Sequence, residues 1–295
     1  MLFQQYIVDG WTKVEGNNLN WLRHNQQHLR SETYPGLYDH LRTSNPDADI
    51  GRVVILPSSF PGSQRNIYQN FQDAMSIVRV HGKPDIFLTF TANPKWQEIT
   101  QSLLPHQTAN DRPDIVSKVF NLKLLELKED ILKRNVLGRI TAYVYTIEFQ
   151  KRGLPHAHML LFFKDEDKPR APQDIDTLVA AQIPDPRAQP ILYEMVKRHM
   201  IHGPCGQLNL YMYSPYMKSR NCNKGFPRPL TDETKFSVDG YPHYERHHRH
   251  TVFVRNHTLD DQNFVPYNAY LLAKYDCHIN VEVCTTVKSV KYIFE

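Results

Sequence analysis

Cysteine and long apolar runs are both scarce in this sequence. Its four cysteines, Cys205, Cys222, Cys277 and Cys284, are too few for a disulfide scaffold in a chain of 295 residues. We expect reduced thiols or metal-binding thiols instead. No apolar run approaches the ~20 residues that cross a bilayer, and the first residues lack the basic and apolar layout of a signal peptide. These absences predict an intracellular protein, nuclear if its source is a eukaryote.

Several other features are also absent. The sequence has no Gly-x-x-x-x-Gly-Lys-Ser/Thr loop, which argues against ATP hydrolysis by this chain. It contains no internal repeat or low-complexity tract. The net charge of +4 permits nucleic-acid binding without demonstrating it. A hydrophobic content of 41% over 295 residues allows a sizeable core, in one large domain or a core with an appendage.

Two β-type segments joined by a turn carry the most informative residues. Apolar and polar residues alternate over 143–149, which predicts a strand with Glu148 and Gln150 on its polar side. A glycine and a proline mark the turn. His156 and His158 then lie two residues apart, so both rings leave one face of the second strand. Pairing the strands puts Glu148 or Gln150 beside the histidines, a ligand set that suits a divalent cation. Glu148 is favoured because a carboxylate neutralises charge.

These residues carry a family resemblance. His156-Ala-His158 followed by Met-Leu-Leu resembles the His-hydrophobic-His motif of the HUH nucleases, which include rolling-circle replication initiators, relaxases and related transposases. Phe87-Leu-Thr-Phe-Thr-Ala-Asn-Pro94 resembles the first motif of the Rep-type initiators and lies upstream, as in that family. Further segments are similar to the Rep domain of Helitron transposases: Leu56-Pro-Ser-Ser-Phe-Pro-Gly-Ser63, His202-Gly-Pro-Cys-Gly206, Val265-Pro-Tyr-Asn268 and Cys277-His-Ile-Asn-Val-Glu-Val-Cys284. The resemblance covers nearly the whole chain.

The resemblance implies an endonuclease and strand transferase that nicks and rejoins single-stranded DNA through a 5′-phosphotyrosine. Mg²⁺ or Mn²⁺ would be held by His156, His158 and Glu148, as in the Rep pattern with an acidic third ligand. Tyr292 occupies the place of the first catalytic tyrosine. Lys288, one helical turn earlier, is a candidate for easing the loss of the phenolic proton.

The tyrosine motif departs from the family pattern at one point. A second tyrosine, preceded by lysine, would follow at the position after Glu295, and here Glu295 stands where the family usually has that lysine. Tyr270 and Tyr275 form a competing pair, but their separation is one residue too long for the motif. We therefore interpret that pair as scaffold. A structural role for Tyr292, packed on the sheet from an amphipathic helix, is the alternative to catalysis.

Contacts with single-stranded DNA are predicted around the same site. The first motif contributes Thr91 and Asn93, and Trp96 near its end is a candidate for stacking on a base, with burial in the core as the alternative. Lys151 and Arg152 on the hairpin turn supply positive charge for phosphates. The basic run at 246–250 is interpreted as a solvated turn, with phosphate contact as the alternative.

A second metal site is predicted further along the chain. His199, His202 and Cys205 recur every third residue, and with Cys222 they have the ligand types of a structural Zn²⁺ site. The family often carries another cysteine where this chain has Tyr216. Free cysteines and surface histidines are the alternative.

We predict an α+β fold with a central, mainly antiparallel sheet of the HUH/Rep type, flanked by helices. The strand order follows from the resemblance. Residues 1–60 would form an N-terminal helical extension, 61–165 and 251–295 the nuclease core, and 166–250 an inserted region that Zn²⁺ would stabilise.

Individual elements are predicted from apolar periodicity. We expect helices at 66–80 and 113–134 and strands at 52–56 and 251–255. The abundance of proline and aspartate over 164–190 predicts an excursion from the core and not another sheet element. A closing helix is expected where Val283, Val287 and Val290 repeat at helical spacing beside Cys284, Lys288 and Tyr292.

Three functions follow from these patterns. The first is the metal-dependent strand transferase, whose partners would be single-stranded DNA and a C-terminal helicase domain outside this sequence. The second is a transposon relic that binds single-stranded DNA but cannot cut it. The third is a metal-dependent phosphodiesterase that uses water, with Tyr292 as a structural residue.

Overall fold

The protein divides into two compact units, Met1–Asp73 and Ala74–Glu295. The computed structural model describes residues 2–29, 54–150, 153–203, 205, 217–218, 221–236, 242–254 and 256–294. Among these residues, no helix combines the length and apolar character that a membrane-spanning helix needs.

The described residues form both α-helices and strands. The strands are β1 (Ile86–Thr91), β2 (Ile140–Phe149), β3 (Pro155–Phe163), β4 (Met217–Lys218), β5 (Asn221–Cys222), β6 (Lys235–Phe236), β7 (Pro242–His243), β8 (Val252–Val254), β9 (His257–Leu259) and β10 (Ile279–Val283). The α-helices are α1 (Leu2–His24), α2 (Gln64–His81), α3 (Gln97–Thr100), α4 (Pro113–Leu132), α5 (Pro172–Leu178), α6 (Pro190–His199), α7 (Ala269–Tyr275) and α8 (Lys288–Tyr292).

The first unit contains α1 and a short 3₁₀ helix at Gln26–Leu29. The strand predicted at 52–56 is wrong for residues 54–56, which form no strand, while 52–53 lie outside the described residues. The backbone of Ile55 bonds instead to one side chain. Its N–H donates to Oε1 of Gln26 at 2.8 Å, and its carbonyl accepts from Nε2 of Gln26 at 2.9 Å. These two bonds use the groups that a strand partner would need.

A four-stranded antiparallel sheet, ordered β10-β1-β3-β2, forms the centre of the second unit. The α+β class and the antiparallel sheet are therefore confirmed. One sheet face is apolar because alternate residues of β1 and β3 point to it. The side chains on this face are fully or almost fully buried: Ile86, Leu88, Phe90, Ala157, Met159 and Leu161.

The helix α4 covers this apolar face. It begins with proline at its first position, where the missing N–H costs nothing, and its extent confirms the helix predicted at 113–134. Its buried residues recur every three or four positions, and the ring of Phe120 stacks on Phe90 with centroids 5.4 Å apart. The opposite face of the sheet is therefore not covered by this helix and can carry a functional site.

The helix predicted at 66–80 is confirmed by α2.

The closing helix is shorter than its predicted pattern. Val283 ends β10, where it pairs with Ile86, and the N–H of Cys284 donates to the carbonyl of Asp85 at 2.8 Å. The helix begins only at Lys288. The helical repeat predicted from Val283 is therefore wrong over its first turn, because strand pairing with β1 decides the conformation there.

Between β3 and β10, the residues that the structure describes add no strand to the main sheet. Residues 164–190 contain α5 and turns and add no strand to the main sheet, as predicted. The predicted excursion from the core is wrong, because Ile175, Val179 and Ile183 are buried in the core. Three separate two-stranded pairs follow, β4–β5, β6–β7 and β8–β9. The strand predicted at 251–255 is confirmed by β8, while residue 255 is outside the described part.

Candidate active site

The open face of the sheet carries both histidines of the hairpin. In β3, His158 lies opposite Thr89 of β1, and His156 lies between Thr91 of β1 and Glu148 of β2. Directly opposed residues of antiparallel strands point to the same face. The alternation read from the sequence thus places the histidines and Glu148 together.

Hydrogen bonds orient the two imidazole rings. The Oγ1 of Thr91 lies 2.9 Å from Nδ1 of His156, and the Oγ1 of Thr89 lies 3.1 Å from Nδ1 of His158. Each Nδ1 thus has a partner, and an Nδ1–H that donates to threonine leaves the Nε2 lone pair for a metal. Nε2 of His156 is buried and has no hydrogen-bond partner. A cation ligated by this nitrogen would remove that unsatisfied acceptor.

Glu148 supplies the nearest carboxylate. Its Oε2 lies 3.5 Å from Nε2 of His158, although 67% of the Glu148 side chain is exposed. Gln150, the alternative ligand, lies beyond the end of β2, where its N–H donates to the carbonyl of Leu154 at 3.0 Å. The three candidate ligand atoms do not all lie within 4.8 Å of one another in His156, His158 and Glu148. The exposed carboxylate of Glu148 would therefore have to move toward His156 to complete a three-ligand set.

Burial keeps the histidines neutral. Desolvation, with smaller effects from His158 and His278, lowers the pKa of His156 to about 4. Burial also lowers the pKa of His158, although the nearby carboxylate of Glu148 opposes that shift. Neutral imidazoles are the form that binds metals, so both rings are ready ligands near pH 7.

The lowered pKa of His156 predicts an acid-sensitive fold. Below pH 6.5 an unfolded imidazole takes up a proton, whereas folded His156 resists protonation down to about pH 4. The contribution of neutral His156 to the free energy of unfolding should therefore be fully present above pH 6.5. It should decrease as the pH drops from about 6.5 to about 4. The free energy of unfolding can be measured by denaturant unfolding at pH 7 and pH 5 without added metal. The decrease from pH 7 to pH 5 should be smaller in His156→Asn than in the wild type. The exposed-site variant His106→Asn should lose as much as the wild type. Equal losses in all three proteins would contradict the assignment.

Tyr292 lies on the same face as the histidines. Its ring centroid is 6.1 Å from that of His158, in edge-on orientation, and 5.7 Å from that of Phe87. Phe87 in turn stacks on His158 with centroids 5.7 Å apart. The buried side chains of Val290 and Ile293 hold α8 against the protein, while Tyr292 itself is 51% exposed. A phenol is thus presented to solvent beside the imidazoles.

The lysine over this phenol is one that sequence reasoning missed. Nζ of Lys224 lies 5.7 Å from the ring centroid of Tyr292. Lys288, the lysine predicted from helical spacing, is exposed at the first position of α8. No local pattern could have identified Lys224, because it reaches the site from the turn after β5.

The first-motif residues mainly stabilise the turn after β1. Asn93 is buried, where its Nδ2 donates to the carbonyl of Asp276 at 2.6 Å. Trp96 is only 4% exposed, and its Nε1 donates to the carbonyl of Tyr275 at 2.7 Å. In this conformation neither side chain is open to DNA, and Thr91 acts through its bond to His156.

Two basic segments are candidates for phosphate contact, the hairpin turn and the run at 246–250. Lys151 and Arg152 lie outside the described residues. The solvated turn predicted at 246–250 is wrong for Arg246, which is 3% exposed. Its Nη1 donates to the carbonyls of Ala181, Asp261 and Phe264. The guanidinium therefore bonds to three backbone carbonyls inside the protein and does not point to solvent.

Three of the four predicted zinc ligands come together. Nε2 of His202 lies 3.2 Å from Sγ of Cys222 and 3.4 Å from Sγ of Cys205, and all three ligand atoms lie within 4.8 Å of one another. His199 is not in this group, because its Nε2 contacts Oδ1 of Asp276 at 2.8 Å. Tyr216, at the family's extra cysteine position, lies outside the described residues.

The chemistry of this trio fits a metal. All four cysteines of the chain are free thiols. Burial and the adjacent Cys222 raise the pKa of Cys205 to about 11. Two thiols and an imidazole make up three ligands of a tetrahedral Zn²⁺ site, and a bound cation would favour the thiolate form. We call this trio the Cys₂His cluster.

Comparison with known families identifies the family of this chain. A family model described as the Helitron helicase-like domain at the N-terminus matches residues 1–161, more than half of the chain. The matched region contains β1, β2 and both histidines of β3, and it ends before Tyr292 and the Cys₂His cluster. Comparison with curated proteins gives no match.

Proposed function

Because the chain belongs to the family of Helitron helicase-like N-terminal domains, we propose that it cuts and rejoins single-stranded DNA through a covalent phosphotyrosine. Family membership supports a role related to Helitron transposases. The observation that carries the finer proposal is the placement of Tyr292 beside His158, on the sheet face that also holds His156 and Glu148.

The imidazoles and the carboxylate define where the phosphodiester binds. Nε2 of His156 lacks a partner, Nε2 of His158 faces Glu148, and this nitrogen and oxygen set fits Mg²⁺ or Mn²⁺. A divalent cation bound there would offset negative charge on the phosphate oxygens. The threonine bonds fix the orientation of both rings, so the two imidazoles are organised before DNA arrives, whereas Glu148 would still have to move toward His156.

Tyr292 would be the nucleophile. Its phenolic oxygen forms a bond to phosphorus as the bond between phosphorus and the 3′ oxygen breaks. The phenolic proton is lost to solvent or a nearby base, and the departing 3′ oxygen gains one, so the products are a 5′-phosphotyrosine and a free 3′-hydroxyl. The phosphodiester bond is exchanged for a phosphotyrosine bond and is not hydrolysed. A later 3′-hydroxyl can therefore reverse the step and join strands without a nucleotide cofactor.

A helicase domain elsewhere in the full protein is part of the proposal. This chain lacks a phosphate-binding loop for ATP, and strand separation would precede cutting. Single-stranded DNA, of transposon ends or target, is the proposed partner.

The function can be tested with end-labelled single-stranded DNA and Mn²⁺. A protein–DNA adduct that survives denaturation would support the phosphotyrosine. Cutting without an adduct would indicate a phosphodiesterase that uses water, and binding alone would indicate a relic. Replacing Mn²⁺ with a chelator is the control, and we expect it to abolish the adduct.

The Cys₂His cluster should bind one Zn²⁺ per chain, because its ligand atoms are already adjacent. Metal analysis of purified protein should find about one equivalent, and Cys222→Ser should reduce it strongly. Cys284→Ala, at a cysteine outside the cluster, is the matched control and should retain the metal. Equal zinc in both variants would rule the cluster out as the site.

A further inference from the structure

The turn after β5 presents one lysine to solvent. Residues 222–225 close a tight turn, in which the N–H of Gly225 donates to the carbonyl of Cys222 at 2.9 Å. Gly225 has φ +71°, a left-handed conformation that glycine adopts without strain. Lys224 precedes it and is exposed.

Both ends of this turn are anchored to His202. At one end, Sγ of Cys222 contacts Nε2 of His202 at 3.2 Å. At the other, the ring of Phe226 stacks on the imidazole with centroids 4.2 Å apart. Arg228 adds two bonds, from Nη2 to the carbonyl of Lys224 at 3.1 Å and from its N–H to the carbonyl of Gln262 at 2.8 Å. The position of Lys224 therefore depends on the Cys₂His cluster.

The ammonium group of Lys224 reaches the candidate active site. Its Nζ lies 5.7 Å from the ring centroid of Tyr292, whose ring centroid is in turn 6.1 Å from that of His158. Among the described residues it forms no salt bridge. An exposed ammonium without a carboxylate partner, next to a nucleophile, is available to a phosphate.

We infer that Lys224 binds a non-bridging oxygen of the phosphodiester that Tyr292 attacks, and that the Cys₂His cluster holds it there. This inference rests on the proposed function. Lys224 would face the phosphate from the side of the tyrosine, while His156, His158 and Glu148 approach it from the sheet. A fixed ammonium group would lower the activation barrier because it stabilises the negative charge that develops on the non-bridging phosphate oxygens during attack.

Lys224→Met tests this inference in two assays. The matched control is Lys118→Met, at an exposed lysine of α4, the helix that covers the other face of the sheet. In single-turnover reactions with Mn²⁺, we expect adduct formation to fall by about 100-fold in Lys224→Met and to be unchanged in the control. Lys224→Arg should restore part of the rate, because it keeps the charge. Circular dichroism and thermal unfolding establish that each variant is folded.

The second assay measures binding to a short oligothymidine by fluorescence anisotropy over a series of salt concentrations. Loss of one phosphate contact should reduce the slope of log affinity against log salt by about 0.7, the value for single strands. The control should keep the wild-type slope.

A double variant tests whether the Cys₂His cluster acts through Lys224. Cys222→Ser/Lys224→Met should form adduct no more slowly than the slower of its two single variants, because both substitutions remove the same contact, that of Lys224 with the phosphate.

The outcomes separate this inference from the proposed function. If the wild type forms an adduct and Lys224→Met matches Lys118→Met in rate and salt slope, the assignment of Lys224 is overturned and the proposed function stands. If the wild type forms no adduct, the proposed function fails. In that case an unchanged salt slope overturns the assignment of Lys224 as well, whereas a reduced slope supports it as a DNA contact.

Discussion

Tyr292→Phe is expected to abolish the denaturation-resistant DNA adduct, lowering its rate of formation by about 1,000-fold or more. Phenylalanine keeps the ring that contacts Phe87 and His158 but lacks the oxygen that would bond to phosphorus. Because Tyr292 is 51% exposed, loss of its hydroxyl should change the free energy of unfolding by only about 0.5 kcal/mol. Affinity for uncut DNA should change little. The loss would therefore be chemical and not structural.

Tyr270→Phe is the matched control for this experiment. Tyr270 is 50% exposed and lies on α7, whose Tyr275 packs against Phe90 on the sheet face opposite the histidines. The Tyr270→Phe variant should therefore form adduct at the wild-type rate. Denaturing gels of labelled DNA, followed by mass spectrometry of the linked peptide, identify the attached residue. An adduct that persists in Tyr292→Phe and disappears in Tyr270→Phe would transfer the nucleophile to Tyr270 and overturn the assignment.

Replacing both histidines, in His156→Ala/His158→Ala, is expected to lower adduct formation by about 100- to 1,000-fold. Charge stabilisation by a metal contributes several kcal/mol, and each 1.4 kcal/mol corresponds to a tenfold change in rate. Titration calorimetry should show that the double variant no longer binds Mn²⁺ at this site. Zinc bound by the Cys₂His cluster should be unaffected, since the two sites share no ligand.

His106→Ala controls for the loss of a histidine as such, because His106 is exposed and distant in sequence from the hairpin. It should bind Mn²⁺ and form adduct like the wild type. Unchanged Mn²⁺ binding in the double variant would show that the histidines are not the ligands. Residual activity that rises with excess Mn²⁺ would instead indicate a weakened site, in which Glu148 still contributes.

The hairpin was predictable because its signals are local. Alternation over 143–149 and the His-x-His spacing decide which side chains share a face, and the turn brings the two strands into register. The structure shows that register, with Glu148 opposite His156 and in contact with His158. The amphipathic pattern of α4 was predictable for the same reason, since helical periodicity depends on near neighbours.

Other predictions required knowledge of distant contacts. Trp96 looks like a stacking residue in sequence, yet a hydrogen bond to Tyr275 and contact with Phe90 hold it in the core. His199 has the spacing of a zinc ligand, but Asp276 takes its Nε2. These partners come from far along the chain, and no local rule identifies them.

The sequence by itself determined the strands of the hairpin, the face that the histidines share and the membership in a family, because each depends on short-range patterns or motif order. Only the tertiary structure decided that Tyr292 lies beside His158 and that Lys224, not Lys288, covers its ring. Such placements depend on the packing of α8 and of the turn after β5, which is set by burial and hydrogen bonds between segments far apart in the chain.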